Sequence, residues 1–419
     1  MSEHPFFFTW SAQRTARPFE IVGGEGAWFD VRDGGRVERW LDMGSLSYQA
    51  NLGHGQRRIA EAMKRQCDEL LLTVPSGGYP AKDALARKLL EHAPPGFTKV
   101  FFTLGGAEAT ENALKIARLA TGRHKLISRY RSYHGATMGA LTLSGDYRRP
   151  PLEPGLAGVV HVLDQFESRL PGGARVVEGG ADAAAIARTI ELEGPETIAA
   201  IFLEPVPGAN GALVPPAGYW AGVREACDRH GVLLVADCVL DGFGRLGTWY
   251  GFESLGAAPD LITVSKGLTG GDAPLGAVLV HERVAKVFED RVLLAGLTFY
   301  GHPIGVAAGL EAVRVYEDER LVERAAALGA RMAESIAVLQ DRHPTQLLKT
   351  RSMGLLAGLE IGGDAARFAR LTKALEARRV YTHPNGRFRT IVLAPPLVIG
   401  DDELDRGLRE LEAAIVESA

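Results

Sequence analysis

The sequence predicts an α/β protein: a mostly parallel sheet covered by helices, with a smaller α+β unit made from both ends of the chain. Three observations carry this. Between residues 66 and 305, short apolar runs alternate with stretches of helical period, the pattern of strand–helix–strand units. Both flanks, 1–65 and 306–419, hold further helical and strand patterns that belong to neither end alone. Finally, 419 residues with 46% hydrophobic and 23% charged side chains suffice for two packed units.

Taken in order, the apolar runs 99–103, 125–129, 159–162, 198–203, 232–236, 261–264 and 277–280 read as strands. After Gly106, the apolar residues Ala109, Ala113, Ile116, Ala117 and Ala120 share one helical face, giving a strand, a glycine turn and a helix. Residues 171–180 are Gly-rich and read as a surface loop. Beyond residue 305, Leu321, Ala325, Leu328, Met332 and Leu339 are at helical spacing, and 355–361 and 390–393 read as strands. Leu404, Leu408, Leu411 and Ile415 mark a closing helix, with Asp401 and Asp402 favouring its N-terminus.

Composition narrows the function classes. A net charge of −4, with both signs scattered, offers no concentrated field for nucleic acid or an anionic membrane. No apolar run approaches the roughly 20 residues that span a bilayer. The N-terminal MSEHPFFFTWSAQ lacks the basic region and long apolar core of an export signal. Cys67, Cys227 and Cys238 are widely spaced, indicating neither a disulfide framework nor a metal site. The expectation is a soluble, cytoplasmic protein.

Three features carry chemistry. Lys266 follows the apolar run LITVS, at the carboxyl end of a buried strand where open α/β sheets hold ligands. An amine in such surroundings has a lowered pKa that lets it attack a carbonyl. Asp237 follows VLLVA at another strand end, where a buried carboxylate calls for a cation such as a protonated ring nitrogen. Gly105, Gly106 and Ala107 lie between a strand and a helix, where backbone amides and the helix dipole favour a phosphate. Each feature alone also suits an ordinary surface, cap or turn position.

Together with RYRSYHGAT and LTFYGHP, the runs FFTLGGAEATENALKIAR, VADCVLDGFGRLG and VSKGLTGGDAPLGAV resemble the class III (ω-amino) aminotransferases over nearly the whole chain. These are fold-type I enzymes that use pyridoxal 5′-phosphate. The resemblance implies that Lys266 carries the cofactor as a Schiff base and acts as proton carrier, while Asp237 partners its pyridine nitrogen. It further implies that Gly106 and Ala107 offer amides to the phosphate, that Tyr133 stacks on the ring, and that Glu204 lies near the cofactor. Thr298 would reach the phosphate in a neighbouring subunit, which implies a homodimer with shared active sites. The substrates implied are a small-molecule amine donor and an oxo acid, used in a ping-pong order.

Departures bear on the substrate. Cys238 stands where the family commonly has Glu, Leu240 where Gln is common, and Asp241 where Thr is usual. Ornithine- and 4-aminobutyrate-type members carry an Arg at the position of Val392 and a Glu at that of Ala209, so a 2-oxoglutarate site of that type is not expected. Arg387 resembles the arginine with which ω-amine and taurine-type members bind pyruvate's carboxylate or a sulfonate, and Trp10 resembles a wall of their substrate pocket. Solvated loop and core roles also suit these two. The expected reaction moves the amino group of an ω-amino acid, taurine-like compound or amine to pyruvate. A lyase, decarboxylase or aminomutase on the same scaffold is the alternative, and a scaffold without catalysis is a third reading.

Overall fold

The computed structural model describes residues 5–16, 19–164 and 182–419. The stretch 171–180, expected as a loop, lies outside the described residues. In chain order the strands are β1 Glu20–Glu25, β2 Trp28–Asp33, β3 Arg36–Asp42, β4 Phe97–Thr103, β5 Lys125–Arg129, β6 Val159–Val162, β7 Ile198–Leu203, β8 Leu233–Asp237, β9 Leu261–Val264 and β10 Gly276–His281. They are followed by β11 Leu347–Met353, β12 Leu356–Ile361, β13 Val380–Tyr381, β14 His383–Asn385 and β15 Thr390–Leu393.

The central sheet has the order β4-β10-β9-β8-β7-β5-β6. Pairs from β9 through β6 are parallel, and β10 runs antiparallel to both its neighbours. Every residue of β7 (IAAIFL) and β9 (LITV) is buried, as expected of strands covered on both faces. The Gly106–Thr121 helix packs on this sheet through Ala109, Ala113, Ile116 and Ala117, and ends at Gly122, whose φ of 69° closes the helix without a Cβ clash.

Two smaller sheets flank the central one. In the first, β1-β2-β3 is extended by β13, which runs parallel to β3, so the two ends of the chain share a sheet. The second, β11-β12-β15-β14, is antiparallel. The Asp401–Glu417 helix begins with Asp401, Asp402 and Glu403, and Glu403 Oε2 accepts from the backbone N–H of Gly400 at 2.7 Å. Arg245 ties the parts together from full burial: it donates to the carbonyls of Leu355 and Pro395, to Ser45 Oγ and to Asn51 Oδ1. Among the described residues, no helix is long and apolar enough to cross a membrane.

Candidate active site

Strand ends of the central sheet deliver side chains to one pocket of about 260 Å³. Asp237 closes β8, Glu204 follows β7, Lys266 lies two residues beyond β9, Gly106 and Ala107 stand beyond β4, and Tyr133 follows β5. Six residues singled out in the sequence therefore line the same pocket. A larger cavity of about 620 Å³ lies between Met138 and His161, but its charged lining groups, Arg149 and Glu153, pair with each other. Size alone does not mark the site.

Lys266 adopts a left-handed conformation, φ 45°, which costs a non-glycine residue about 1–3 kcal/mol and is held only by the surrounding structure. Its Nζ has no ion pair or hydrogen bond among the described residues and stands 5.6 Å from the centre of the Tyr48 ring. Burial lowers its pKa, while the carboxyls of Asp237, Glu204 and Asp241 act in the opposite direction when ionised. The amine is thereby readied to act uncharged.

Asp237 is buried and well supplied with donors. Oδ2 meets His134 Nδ1 at 2.6 Å, and Oδ1 accepts from the Val239 N–H at 3.1 Å and the Thr263 hydroxyl at 3.2 Å. His134 Nε2 meets Ser128 Oγ at 3.1 Å, so the imidazole is fixed at both nitrogens. Glu204 Oε1 accepts from the Tyr133 N–H at 3.0 Å; burial pushes this carboxyl up to about 7. At Gly106 an added Cβ would come within 2.6 Å of Val239 Cγ1, so only glycine fits at the start of this helix. The first-turn amides have no carbonyl within their own helix to meet.

An outer cavity of about 380 Å³ shares Ala209 with the inner pocket. Arg387 lines it, as does Arg148, which the sequence reading did not single out. The Arg148 guanidinium lies 4.5 Å from the Tyr133 ring, 4.8 Å from Tyr147 and 5.1 Å from Trp10; it is ion-paired with buried Asp146, which also accepts from the Arg148 backbone N–H. The Arg387 guanidinium is 5.7 Å from Tyr147, so two cations flank one ring. Tyr48 stacks on His383 at 3.7 Å at the cavity wall. The turn presenting Tyr48 is strained, with φ of 52°, 49° and 63° at Ser45, Leu46 and Tyr48. It is held by Asp42, which accepts from the Gly44 and Leu46 amides, and by Ser45 Oγ, which donates to the Ala394 carbonyl.

Two expected site residues line neither cavity. Trp10 is 65% exposed and meets Tyr133 edge-on at 6.4 Å. Thr298 is exposed on a segment with exposed Val292, Leu294 and Phe299. Among the departures, Leu240 lines the inner pocket and packs against Gly208, while Val392 is buried with Leu240 and Val206 in one apolar cluster. His134, Arg148, Tyr48 and His383 were missed. His134 alone carried a signal, as the neighbour of Tyr133 in the YHG run; Arg148 sits in DYRRP, which reads as a solvated run.

The pocket suits pyridoxal 5′-phosphate: an unpaired lysine amine, a carboxylate anchored by a histidine, a ring beside them, and a glycine whose Cβ would fill the cradle at a helix N-terminus. The family model for class-III aminotransferases matches residues 10–415. A probable aminotransferase of Mycobacterium tuberculosis is 36% identical over 411 residues, 92% of this chain and 87% of its own. A hypotaurine/taurine–pyruvate aminotransferase of Paracoccus denitrificans is 34% identical over 339 residues, 76% of this chain and 72% of its own. The solved taurine:2-oxoglutarate aminotransferase of Bifidobacterium kashiwanohense, in complex with PLP and glutamate, superposes with a TM-score of 0.88 at 33% identity, over 98% of this chain and 95% of that one. With this site in this sheet, the chain belongs to the class-III aminotransferases, fold-type I enzymes that transfer amino groups with pyridoxal 5′-phosphate.

Proposed function

We propose that this enzyme moves the amino group of an ω-amino acid, taurine-like compound or simple amine to pyruvate. Lys266, Asp237, Gly106, Ala107, Tyr133 and Glu204 hold the cofactor, and Thr298 completes the site from a second copy of the chain. Bound pyridoxal phosphate supplies an electron sink that eases loss of a proton from the carbon bearing nitrogen. Lys266 Nζ takes that proton and later returns it, a role that its burial favours by lowering its proton affinity. The Asp237 carboxyl is held in place beside the pocket by His134, the Val239 N–H and the Thr263 hydroxyl. Tyr133 and Tyr48 bound the reacting region, and one site serves donor and acceptor in turn, giving ping-pong kinetics.

The observation that carries the acceptor is the outer cavity. Arg148 and Arg387 line it, whereas Val392 is buried in an apolar cluster and Ala209 offers no carboxylate between the two cavities. A planar guanidinium pairs with a carboxylate or sulfonate, and the Paracoccus relative is named for pyruvate as acceptor. A panel of donors, assayed with pyruvate and 2-oxoglutarate separately, is expected to give kcat/KM at least about 10-fold higher with pyruvate, the cost of leaving the second carboxylate of 2-oxoglutarate without a charged partner. Equal or reversed preference overturns the assignment.

A homodimer is supported by the exposure of Leu72 (84%), Val292 and Leu294 (73% each) and Phe299 (55%), apolar groups that a second copy would cover. Sedimentation is expected to give twice the chain mass. The cysteines Cys67, Cys227 and Cys238 are free, which supports a reducing cytoplasm.

A further inference from the structure

Three carboxyl groups act on the charge of Lys266: Asp237, Glu204 and Asp241. Their surroundings differ. Asp237 has three donors, among them His134. Among the described residues, the Glu204 carboxyl accepts one hydrogen bond, from the Tyr133 N–H. Asp241 is 1% exposed; Oδ2 accepts from the Val206 N–H at 2.8 Å, and Oδ1 is buried with no partner among the described residues. An ionised carboxylate so placed bears most of its desolvation cost, whereas a neutral acid does not.

The neighbours reinforce this. Asp237 and Cys238 face Asp241 from the end of β8, Glu204 from beyond β7, Lys266 from beyond β9, Arg129 from β5, and Arg245 from the following turn. Gly251 packs closely on this residue, since a Cβ there would lie 2.7 Å from Asp241 Cβ. Burial is the largest influence on the Asp241 carboxyl and pushes it up to about 8; Asp237 adds to this, and the Val206 N–H, Lys266 and Arg129 oppose it.

We propose that Asp241 is a positioning residue that sits beside the active site as a neutral acid, leaving Lys266 free to shed its proton, and that its ionisation in alkaline solution strengthens the lysine's hold on that proton. Asp241 touches no reacting atom. Through the Val206 N–H it also ties the segment carrying Glu204 and Ala209 to the turn carrying Asp237 and Leu240. The proposal rests on Lys266 as the reacting amine.

The test reads the lysine itself. Full-length protein freed of cofactor is pulsed with limiting acetic anhydride between pH 6.5 and 10, and acetylation of the Lys266 peptide is measured by mass spectrometry. Wild type is compared with Asp241→Asn, which keeps an acceptor for the Val206 N–H and cannot ionise. The two should label within about twofold at pH 7, and the variant about 3- to 10-fold faster at pH 9, the size of a short-range charge effect near ε of 20. Superposed profiles overturn the proposal. A variant that melts earlier but keeps the wild-type lysine profile assigns Asp241 a packing role and also overturns it. If Asp241→Asn does not fold, Asp241→Thr gives the same comparison, and the wild-type curve alone must depart from a single ionisation near pH 8. Retained amino transfer in Lys266→Ala would instead sink the functional reading, a separate result.

Discussion

The inner pocket and the outer cavity share Ala209 but are built in different ways. The inner pocket takes its side chains from the ends of adjacent strands in one buried sheet: Glu204 after β7, Asp237 at the end of β8, Lys266 after β9. The outer cavity is assembled from remote pieces: the strained 45–48 turn, Tyr147 and Arg148 from a loop after β5, and 383–387 from the last sheet. The first arrangement holds reacting groups where the sheet dictates. The second can change its side chains without disturbing them, because loops carry specificity on a scaffold that carries chemistry.

If that contrast is right, inner substitutions act on the chemical step and outer ones on substrate capture. The largest expected effect is Lys266→Ala, a loss of about 10³-fold or more in amino transfer with the melting temperature little changed, read by steady-state rates and calorimetry. Asp237→Asn removes the carboxyl that His134, Val239 and Thr263 hold beside the pocket and is expected to lower kcat by about 10²-fold, with KM for the acceptor nearly unchanged. Arg148→Met tests the other side: KM for pyruvate should rise by about 10- to 30-fold while kcat holds, the worth of one charge-assisted contact. A fall in kcat as deep as that of Asp237→Asn would erase the distinction between the two regions.

The smallest effect concerns Glu204, held up to about 7 by burial from an ordinary value of 4.5. The folded value lies above the unfolded one, so its contribution to stability is whole below about pH 4.5 and is lost as pH rises through about 7. Between pH 6 and 8 the unfolding free energy of wild type should fall about 1 kcal/mol more than that of Glu204→Gln, measured by urea titration. Parallel slopes would show that Glu204 is better solvated than its position implies.

Much of the inner pocket was legible in the chain. The runs 125–129, 159–162, 198–203, 261–264 and 390–393 coincide with strands, most plainly at 198–203 and 261–264, where a strand buried on both faces is apolar almost throughout. The first three strands were not read. β1 is EIVGGE, with paired glycines and little burial, and β3 mixes Arg36, Glu38 and Arg39 into its run, so neither shows a clean period of two. β14, His383–Asn385, is too short and contains Pro384. The bounds assigned to the two units, 66–305 against the two flanks, remain our proposal.

His134 and Arg148 show where reading stopped. His134 is 103 positions from Asp237, and nothing near it indicates which carboxylate its ring will meet. Arg148 stands in a charged run, yet it lies over Tyr133, Tyr147 and Trp10.

By itself the amino-acid sequence determined most strands of the central sheet, the glycine at the helix start, and the presence of Lys266 and Asp237 at the carboxyl ends of its strands. These follow from local periodicity and turn chemistry, which neighbouring residues set. Only the tertiary structure decided that the carboxyls of Asp237 and Glu204 line one pocket with the lysine, which of them gathers three hydrogen-bond partners, and which arginines line the outer cavity. Charge and contact depend on burial and on partners brought from far along the chain, and that proximity exists only once the sheet has closed around them.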